Sequence, residues 1–443
     1  MATGKTRCIA IRIIVLAAIV SVFTLSHVHG EGRWRPTRRS KQVSSVPLQQ
    51  SLQASSNSQL FVRPVVQKTD PVVELARKAI EVNLTRRLDV NVHSPWQIMH
   101  AVLAYGRQLK LKQGDKEISA LDWIASGPSY DGEPLILVTK YGARFHRYSR
   151  PYAFEGHRNQ FLALLTSCHL KPDFKFNAQG KQVTLQDMIN DAKWTTTDQD
   201  ELTFTLWALI PYVDPNEVWI SESGERWNFA RIVQEQMQES LPWTPCGGTH
   251  LLYVLTLARD KYLAKYGRLD GVWQQLDQYV KFYVNRAHQL QNSDGSFSTE
   301  YFEKAGYTDD PIERLETSGH MLAFVAAAAS EEQLRSDWVR AAVSAVSRDL
   351  LATSHQGVPC GPLYHAVHGV QVYYQRVQAL EKSSRNRKEH QQQGEGPVLS
   401  SPRLHTNAPH SSSAAATVVQ PAPVHAHRAP RLGWFLHGWH RRR

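Results

Sequence analysis

Apolar side chains between residues 64 and 382 recur with the period of an α-helix, in two alternating patterns. Segments of the first pattern open on a polar residue and continue with apolar side chains on every face; they begin near His93, His157, Glu201, Cys246, His320 and His365. Segments of the second pattern are apolar on one face only; examples are 73–88, 184–192, 228–240, 269–290 and 333–352. The first pattern is typical of interior helices and the second of surface helices. Six inner–outer hairpins predict an all-α domain, an α/α toroid, over 64–382.

Two of the one-faced segments carry signals for the start of a helix. Thr184 precedes Asp187 and Ser330 precedes Gln333, each with the spacing of a capping box. In this arrangement each side chain bonds the backbone N–H of the other, which satisfies donors that the first turn leaves open. We therefore expect helices to begin at these two points.

Two stretches interrupt the helical alternation. The first, 134–149, contains the apolar run Leu135–Thr139 and a turn near Tyr141-Gly142, which predicts a small β-hairpin insertion. The second, 291–318, shows no helical period and is interpreted as a longer insertion.

A short motif ends the longest predicted outer helix. Residues 291–297 read Gln-Asn-Ser-Asp-Gly-Ser-Phe. This motif resembles the Gln-x-x-Asp-Gly-Ser-Trp repeat of the squalene cyclase and protein prenyltransferase superfamily, with Phe297 in place of tryptophan. There the glutamine closes a helix end, Asp-Gly makes the turn and the aromatic ring packs on the glutamine. The resemblance in architecture covers residues 90–380 and implies an α/α toroid, as in secreted bacterial proteins that carry squalene-cyclase-like repeats.

The N-terminal residues have the pattern of a targeting segment. A basic start precedes the apolar run Ile13–Leu25, and Val28-His29-Gly30 follows. Residues 1–30 are therefore predicted to be a signal peptide or an uncleaved signal anchor. Both alternatives place the folded part outside the cytoplasm, periplasmic or secreted, and the anchor would hold it at the membrane. Residues 31–63 are basic and rich in Ser and Gln, which predicts a disordered linker.

The C-terminal segment 383–443 is rich in Gln, Ser, Pro, Ala and His and has no period, which predicts a disordered tail. Its end, Trp434–Arg443, combines aromatic residues with three final arginines. Such a tail either contacts an anionic membrane or cell-envelope surface or increases solubility. The sequence leaves both interpretations open.

Net charge separates the ends from the middle of the chain. The whole sequence carries 51 Lys+Arg and 40 Asp+Glu, a formal net charge of +11. Residues 1–63 and 383–443 contain 18 of these basic residues and 3 of the acidic ones, so 64–382 carries 33 and 37, a net charge of −4. A slightly acidic folded domain argues against nucleic acid as a partner. We expect one toroid domain that is a monomer.

Histidines mark most starts of the predicted inner helices. In a toroid these starts would meet at one rim of the central cavity. The positive end of a helix dipole disfavours imidazolium, and neutral histidine can ligate a metal or act as a base. A single histidine at a helix start is ordinarily a capping residue, whereas several in register favour a site. The candidate catalytic groups at this rim are His157, Asp200, Glu201, His250, His320 and His368.

Two Cys/His pairs suggest a metal. Cys246 and His250 are four residues apart, one helical turn, and Cys360 with His365 offers a second pair. Thiolate and imidazole ligands are typical of zinc, which is the predicted cofactor. The two cysteines could instead form a disulfide or remain free buried thiols. The protein prenyltransferases also bind zinc near the cavity rim, but their Asp-x-Cys element has no match here.

An acidic string precedes the third inner helix. Residues 198–201 read Asp-Gln-Asp-Glu and resemble the Asp-x-Asp-Asp-Thr-Ala element of squalene-hopene-type cyclases. The resemblance implies that Asp200 is a proton donor, although Glu201 replaces the last aspartate and no alanine follows Thr203. Acidic residues also stabilise a helix start by themselves. Carboxylates beside histidine could equally serve glycan hydrolysis.

A second acidic string lies within the stretch 291–318. Residues 309–313 read Asp-Asp-Pro-Ile-Glu. Carboxylates at this spacing could hold Mg²⁺ with a diphosphate. A solvated turn is the simpler interpretation.

Three classes of function remain open on the sequence. The first is an enzyme with its site at the cavity rim, a metal- or acid-assisted hydrolase or lyase of an extracytoplasmic polymer, with a terpenoid or polyprenyl cyclase as the alternative. The second is a noncatalytic module that binds glycan, lipid or peptide, and the third is a structural envelope protein. The sequence has no P-loop, nucleophile elbow or dinucleotide fingerprint.

Overall fold

The computed structural model of the chain describes residues 70–147 and 150–394, with side chains up to residue 387. This part contains thirteen α-helices, so the predicted mainly helical fold is confirmed. The helices are α1 (Pro71–Leu84), α2 (Pro95–Tyr105), α3 (Ala120–Ala125), α4 (Gln160–Leu164), α5 (Leu185–Trp194), α6 (Leu202–Leu209), α7 (Phe229–Gln236), α8 (Thr249–Tyr266), α9 (Gly271–Gln289), α10 (Pro311–Ala328), α11 (Glu331–Arg335), α12 (Asp337–Ala352) and α13 (Cys360–Gly394). The predicted segments 1–30 and 31–63 lie outside the described residues.

Short strands in the described residues form five small sheets. The strands are β1 (Leu88–Asp89), β2 (Lys110–Gln113), β3 (Lys116–Ser119), β4 (Ser129–Tyr130), β5 (Glu133–Pro134), β6 (Ile136–Thr139), β7 (Gly142–Phe145), β8 (Lys175–Ala178), β9 (Lys181–Thr184), β10 (Trp219–Ile220) and β11 (Arg226–Trp227). Strand β1 is parallel to β2, and the remaining pairs are antiparallel. The predicted hairpin is β6–β7, with Ile136 opposite Phe145. The hairpins β2–β3 and β8–β9 also have four residues in each strand, but their residues are mostly polar, so no apolar run reveals them.

The predicted capping boxes are present. The Thr184 hydroxyl accepts a hydrogen bond from the Asp187 N–H at 3.2 Å, and the Asp187 carboxylate accepts one from the Thr184 N–H at 2.7 Å. This box starts α5. Ser330 and Gln333 form the same arrangement at α11. Because α11 ends at Arg335, the predicted helix 333–352 is in fact two helices, α11 and α12.

Burial distinguishes interior helices from amphipathic ones. Every residue of α6 is buried, and so are most residues of α2 and α10. Helix α9 instead buries one stripe along its 19 residues, formed by Trp273, Leu276, Val280, Val284 and Ala287. None of the helices within 70–147 and 150–394 is long and apolar enough to cross a membrane.

The interior helices contact one another in chain order. Helix α2 contacts α4, α4 contacts α6, α6 contacts α8, α8 contacts α10, and α10 contacts α13, which in turn contacts α2. The amphipathic helices pack against this series. Helix α1 packs on α12 and α13, α12 on α10, α9 on α8 and α10, α7 on α8, and α5 on α6.

Two predicted helix limits are wrong. Helix α10 begins at Pro311, because the Asp310 carboxylate caps it by accepting the Ile312 N–H at 2.9 Å and proline suits the first helical turn. The acidic string 309–313 is therefore a helix start, and His320 lies in the middle of α10. Helix α13 continues to Gly394, past the limit at which the disordered tail was expected.

The glutamine–phenylalanine motif forms a closed turn after α9. Gln291 donates hydrogen bonds through Nε2 to the carbonyl oxygens of Gly295 and Trp338, each at 2.9 Å. Gly295 has φ +92°, and a Cβ there would lie 2.5 Å from the carbonyl oxygen of Ala341, so only glycine fits. Phe297 is buried. The turn thereby fixes the end of α9 against α12.

Candidate metal centre

Three imidazole rings from three helices meet between α8, α10 and α13. The ring centroid of His320 lies 4.0 Å from that of His365 and 4.9 Å from that of His250. The centroids of His250 and His365 are 4.7 Å apart. The structure thus brings together three of the residues that the sequence singled out, although only His250 stands in the first turn of its helix.

Small residues allow α10 and α13 to approach closely enough for this contact. A Cβ at Gly319 would lie 2.6 Å from the Cα of Ala366, and a Cβ at Gly369 would lie 2.8 Å from the carbonyl oxygen of Gly319. Neither position can carry a side chain without moving a backbone. Since His320 follows Gly319 and His365 precedes Ala366, the close crossing brings the two rings together.

A left-handed turn places Cys246 beside the rings. Cys246, Gly247 and Gly248 have φ values of +52°, +60° and +81°, a run that non-glycine residues rarely adopt. A Cβ at Gly247 would lie 2.3 Å from the ring of Tyr301, so the turn also packs tightly on that ring. The Thr249 hydroxyl donates a hydrogen bond to the Cys246 carbonyl oxygen at 2.8 Å. The chain therefore reverses direction just before α8 and directs the thiol to the cluster.

Cys246, His250 and His320 can hold a metal ion. One potential ligand atom from each residue lies within 4.8 Å of the others. His320 Nδ1 lies 2.5 Å from the carbonyl oxygen of Glu316, and because a carbonyl only accepts, Nδ1 donates this bond. The lone pair of His320 is therefore on Nε2. A backbone bond that fixes the tautomer in this way is the usual support of a metal-binding histidine.

Burial keeps the clustered histidines neutral. It lowers the pKa of His320 to about 4. Burial, together with the neighbouring His320, lowers the pKa of His250 and of His365 well below the ordinary value. Neutral imidazoles are the form that binds metal. For the thiol, burial and then the carboxylates of Glu316 and Glu201 raise the pKa of Cys246 to about 12, so a bound cation would have to displace its proton.

A histidine–carboxylate pair borders the cluster. His157 Nδ1 lies 2.5 Å from Glu201 Oε2. The His157 ring stacks on Phe204 at 4.7 Å, and Phe204 lies 5.6 Å from His250. Burial lowers the pKa of His157, but the Glu201 carboxylate outweighs it and raises the pKa overall. The pair can therefore carry a proton next to the candidate metal ligands.

A small cavity lies next to the imidazole cluster. Its volume is about 10 Å³, room for one water-sized occupant. Four imidazoles line it together with two larger aromatic rings; these are His250, His320, His365, His368, Trp207 and Tyr253. A polymer segment cannot enter this space.

Asp200 is held by a cation rather than placed among the histidines. Its carboxylate forms an ion pair with Arg158 and also accepts a hydrogen bond from Thr197 at 3.2 Å. Both contacts hold the carboxylate at Arg158 and Thr197, and Asp200 is not part of the group formed by Cys246, His250 and His320. This geometry does not favour the proton-donor role that the cyclase resemblance implied for Asp200.

The second predicted Cys/His pair does not join the metal-ligand group. Cys360 is the first residue of α13 and is outside the group formed by Cys246, His250 and His320. The ring of His365 lies next to those of His250 and His320, but His365 is not part of the three-residue ligand group. Cys168, Cys246 and Cys360 are all free thiols, so the disulfide alternative for Cys246 and Cys360 is wrong. The reason is the placement of Cys246 on the turn before α8, next to histidines.

One histidine of the cluster was missed, and another was wrongly expected there. His93 precedes α2 and accepts a hydrogen bond from the Asp89 N–H at 2.9 Å. His100, two helical turns further on, is buried, and its ring lies 5.3 Å from that of His365. The signal was present in the sequence: His100 lies within the apolar segment, where an unpaired polar side chain is costly.

Comparisons with protein-family models, with curated proteins and with solved structures find no match for this chain.

Proposed function

We propose that the chain is an exported α/α toroid whose interior holds a zinc centre. This centre would support the cleavage of an extracytoplasmic polymer, by hydrolysis or by a lyase reaction. The cyclic order of helix contacts supports the toroid, since α13 packs on both α10 and α2. The likeness to the squalene cyclase and prenyltransferase superfamily rests on residues 291–297 and on this order. Export rests on the signal-like pattern of residues 1–30.

The observation that carries the proposal is the convergence of Cys246, His250 and His320 within 4.8 Å. One thiolate and two imidazoles form a donor set that suits zinc. Three protein ligands leave one position of a tetrahedral ion open, which is the arrangement of catalytic rather than structural zinc sites. Zinc in such a site lowers the pKa of a bound water to about 7.

The His157–Glu201 pair supplies the chain's own proton-transfer group. Glu201 lies near enough to Cys246 to raise the pKa of its thiol, and the side chains of His157 and Glu201 keep 19% and 32% of their surface exposed. Trp243, 81% exposed, stands on the turn that leads to Cys246. A polymer can therefore approach from this side, with His157 positioned to exchange a proton with the leaving group.

Metal content tests the centre. Purified full-length protein should contain about one zinc per chain, measured by elemental analysis. Cys246→Ser and His320→Ala should each weaken zinc binding at least about 100-fold, because each removes a ligand. Cys360→Ser is the matched control and should keep its zinc. A folded wild-type protein without zinc, or loss of zinc in Cys360→Ser, would contradict the assignment.

Fragment release tests the reaction. The zinc-loaded protein should release soluble fragments from cell-wall or exopolysaccharide preparations, chelation should stop the release and added zinc should restore it. His157→Gln should slow the release about 100-fold while zinc content stays unchanged. Zinc-loaded protein that releases nothing from such polymers would leave a metal centre without this activity.

A further inference from the structure

His368 has an unpaired nitrogen inside the protein. The residue is only 9% exposed, and its Nε2 has no hydrogen-bond partner within the described part of the chain. The backbone of Leu103 hydrogen-bonds the ring, and since Nε2 is unpaired this bond belongs to Nδ1. A buried polar atom without a partner is destabilising, so we expect this nitrogen to bind a partner that comes from outside the chain.

The hydrogen bond to Leu103 determines whether the missing partner of Nε2 is a hydrogen-bond donor or an acceptor. Leu103 lies in the last turn of α2, where carbonyl oxygens have no helical partner, so the ring donates this bond and Nδ1 carries the hydrogen. A buried imidazole is neutral unless a carboxylate pairs with it, and the groups that line the cavity beside His368 are imidazoles, aromatic rings, Thr249 and Ala323. Nε2 therefore presents a lone pair, and the missing partner has to be a hydrogen-bond donor.

The same cavity touches the metal-ligand group. His368 lines it together with His250 and His320, two of the three candidate ligands. The volume of about 10 Å³ accepts one water-sized molecule. A molecule there lies between the imidazoles of the centre and the lone pair of His368.

We propose that this cavity is the binding site for one small hydrogen-bond-donating ligand of the metal, water in the resting protein, and that His368 Nε2 accepts its hydrogen bond. The inference rests on the proposed metal centre and assigns its open position to this cavity, which His157 does not line. His368 selects ligands that donate a hydrogen bond and disfavours those that only accept one.

Cyanide binding to the cobalt-loaded protein tests this selection. Cobalt replaces zinc in such donor sets, and a near-ultraviolet thiolate-to-cobalt band reports the bond to Cys246. Cyanide, two atoms long, only accepts hydrogen bonds, so the wild-type protein should bind it weakly. His368→Gln replaces the lone pair by an amide donor and should raise cyanide affinity at least about 10-fold. Cobalt content should not change.

Two further variants separate selection from altered packing. His368→Asn can keep the bond to Leu103 through its amide while removing the Nε2 lone pair, and it should raise cyanide affinity less than His368→Gln. His146→Asn is the matched control, since His146 Nδ1 also bonds a backbone carbonyl, that of Arg147 at 2.7 Å, and His146 is outside the imidazole cluster. It should leave cyanide affinity unchanged. Circular dichroism checks that each variant is folded.

The outcomes distinguish this inference from the proposed function. A wild-type protein without the thiolate-to-cobalt band would remove the metal centre and the inference together. A wild-type band with equal cyanide affinity in His368→Gln, in His368→Asn and in the wild type, or with no cyanide binding in any of them, would overturn the inference alone. An increase for the His146 control as large as for His368→Gln would overturn it as well.

Discussion

Cys246 combines an uncommon backbone conformation with a potential ligand atom. A non-glycine residue in the left-handed region costs about 1–3 kcal/mol, and such residues tend to occur at functional sites. Here the two following glycines continue the same conformation, and the Thr249 hydroxyl bonds the Cys246 carbonyl. The sequence shows Cys-Gly-Gly-Thr-His but does not reveal that the chain turns back there, because the turn depends on the contact with Tyr301.

Glu155 offers a test of burial at the scale of a single residue. It is 5% exposed, and its carboxylate accepts the Phe161 N–H at 2.8 Å. Burial raises its pKa to about 8, against the lowering effects of that bond and of nearby arginines. Between pH 4.5 and 8 the unfolded chain loses this proton while the folded chain keeps it. The contribution of Glu155 is therefore fully favourable below about pH 4.5 and is lost as pH rises towards 8.

The variant Glu155→Gln keeps an acceptor oxygen and does not titrate. Relative to the wild type, its free energy of unfolding should gain up to about 4 kcal/mol from pH 4.5 to pH 8, measured by urea unfolding. The exposed Glu332→Gln should show no such gain. If the wild type and Glu155→Gln change in parallel with pH, Glu155 is ionised in the folded protein.

At the scale of elements, the crossing of α10 and α13 determines which histidines meet. Gly319 and Gly369 are the positions where the two backbones come closest. The helical period and the histidines on these helices could be predicted from the sequence. The positions of these histidines along their helices could not be predicted. Helix α10 starts at Pro311, well before the predicted limit, so His320 lies in the middle of the helix. His100 was missed because only histidines at predicted helix starts were considered as site residues.

The crossing makes a prediction for Gly319→Ala. The new methyl group would press on the Ala366 backbone, so the variant should lose about 1–3 kcal/mol of stability and, where it folds, bind zinc more weakly. Gly357→Ala is the matched control, since a Cβ there meets nothing within 4 Å and should change stability by less than about 0.5 kcal/mol. Unchanged stability and zinc affinity in Gly319→Ala would show that the helices can separate freely.

At the scale of the whole described chain, the first helix is joined to the last amphipathic one. Arg340 on α12 makes two hydrogen bonds, of 2.5 Å and 2.9 Å, to the carboxylate of Asp70 at the start of α1. The side-chain amide of Asn83 donates to the Leu350 carbonyl at 3.3 Å. The alternation of apolar and polar positions predicted the helices on both sides of this contact. It carries no information about which end helices pair, because pairing depends on side chains 270 residues apart.

The ion pair between Arg340 and Asp70, which joins α12 to the start of α1, can be tested by removing the charge of Arg340. Arg340→Met should lower the free energy of unfolding by about 1–2 kcal/mol, since it breaks a two-point, half-buried ion pair. Arg77→Met removes exposed pairs with Glu74 and Glu81 inside α1 alone and should lower the free energy of unfolding less than Arg340→Met does. Chemical denaturation of both variants gives the comparison. Equal losses would mean that the joint adds nothing beyond an ordinary surface pair.

This joint also has a consequence for the time course of folding. A chain made at about 5–20 residues per second needs roughly 15–55 s to add the 270 residues that separate Asp70 from Arg340. During that interval the apolar stripe of α1 has no partner on α12, so it is open to chaperones and to other chains. Closing so long a loop is also slow by contact order. The pairing of α1 with α12 should therefore be the last slow phase of refolding, after the imidazoles of α8 and α10 have met.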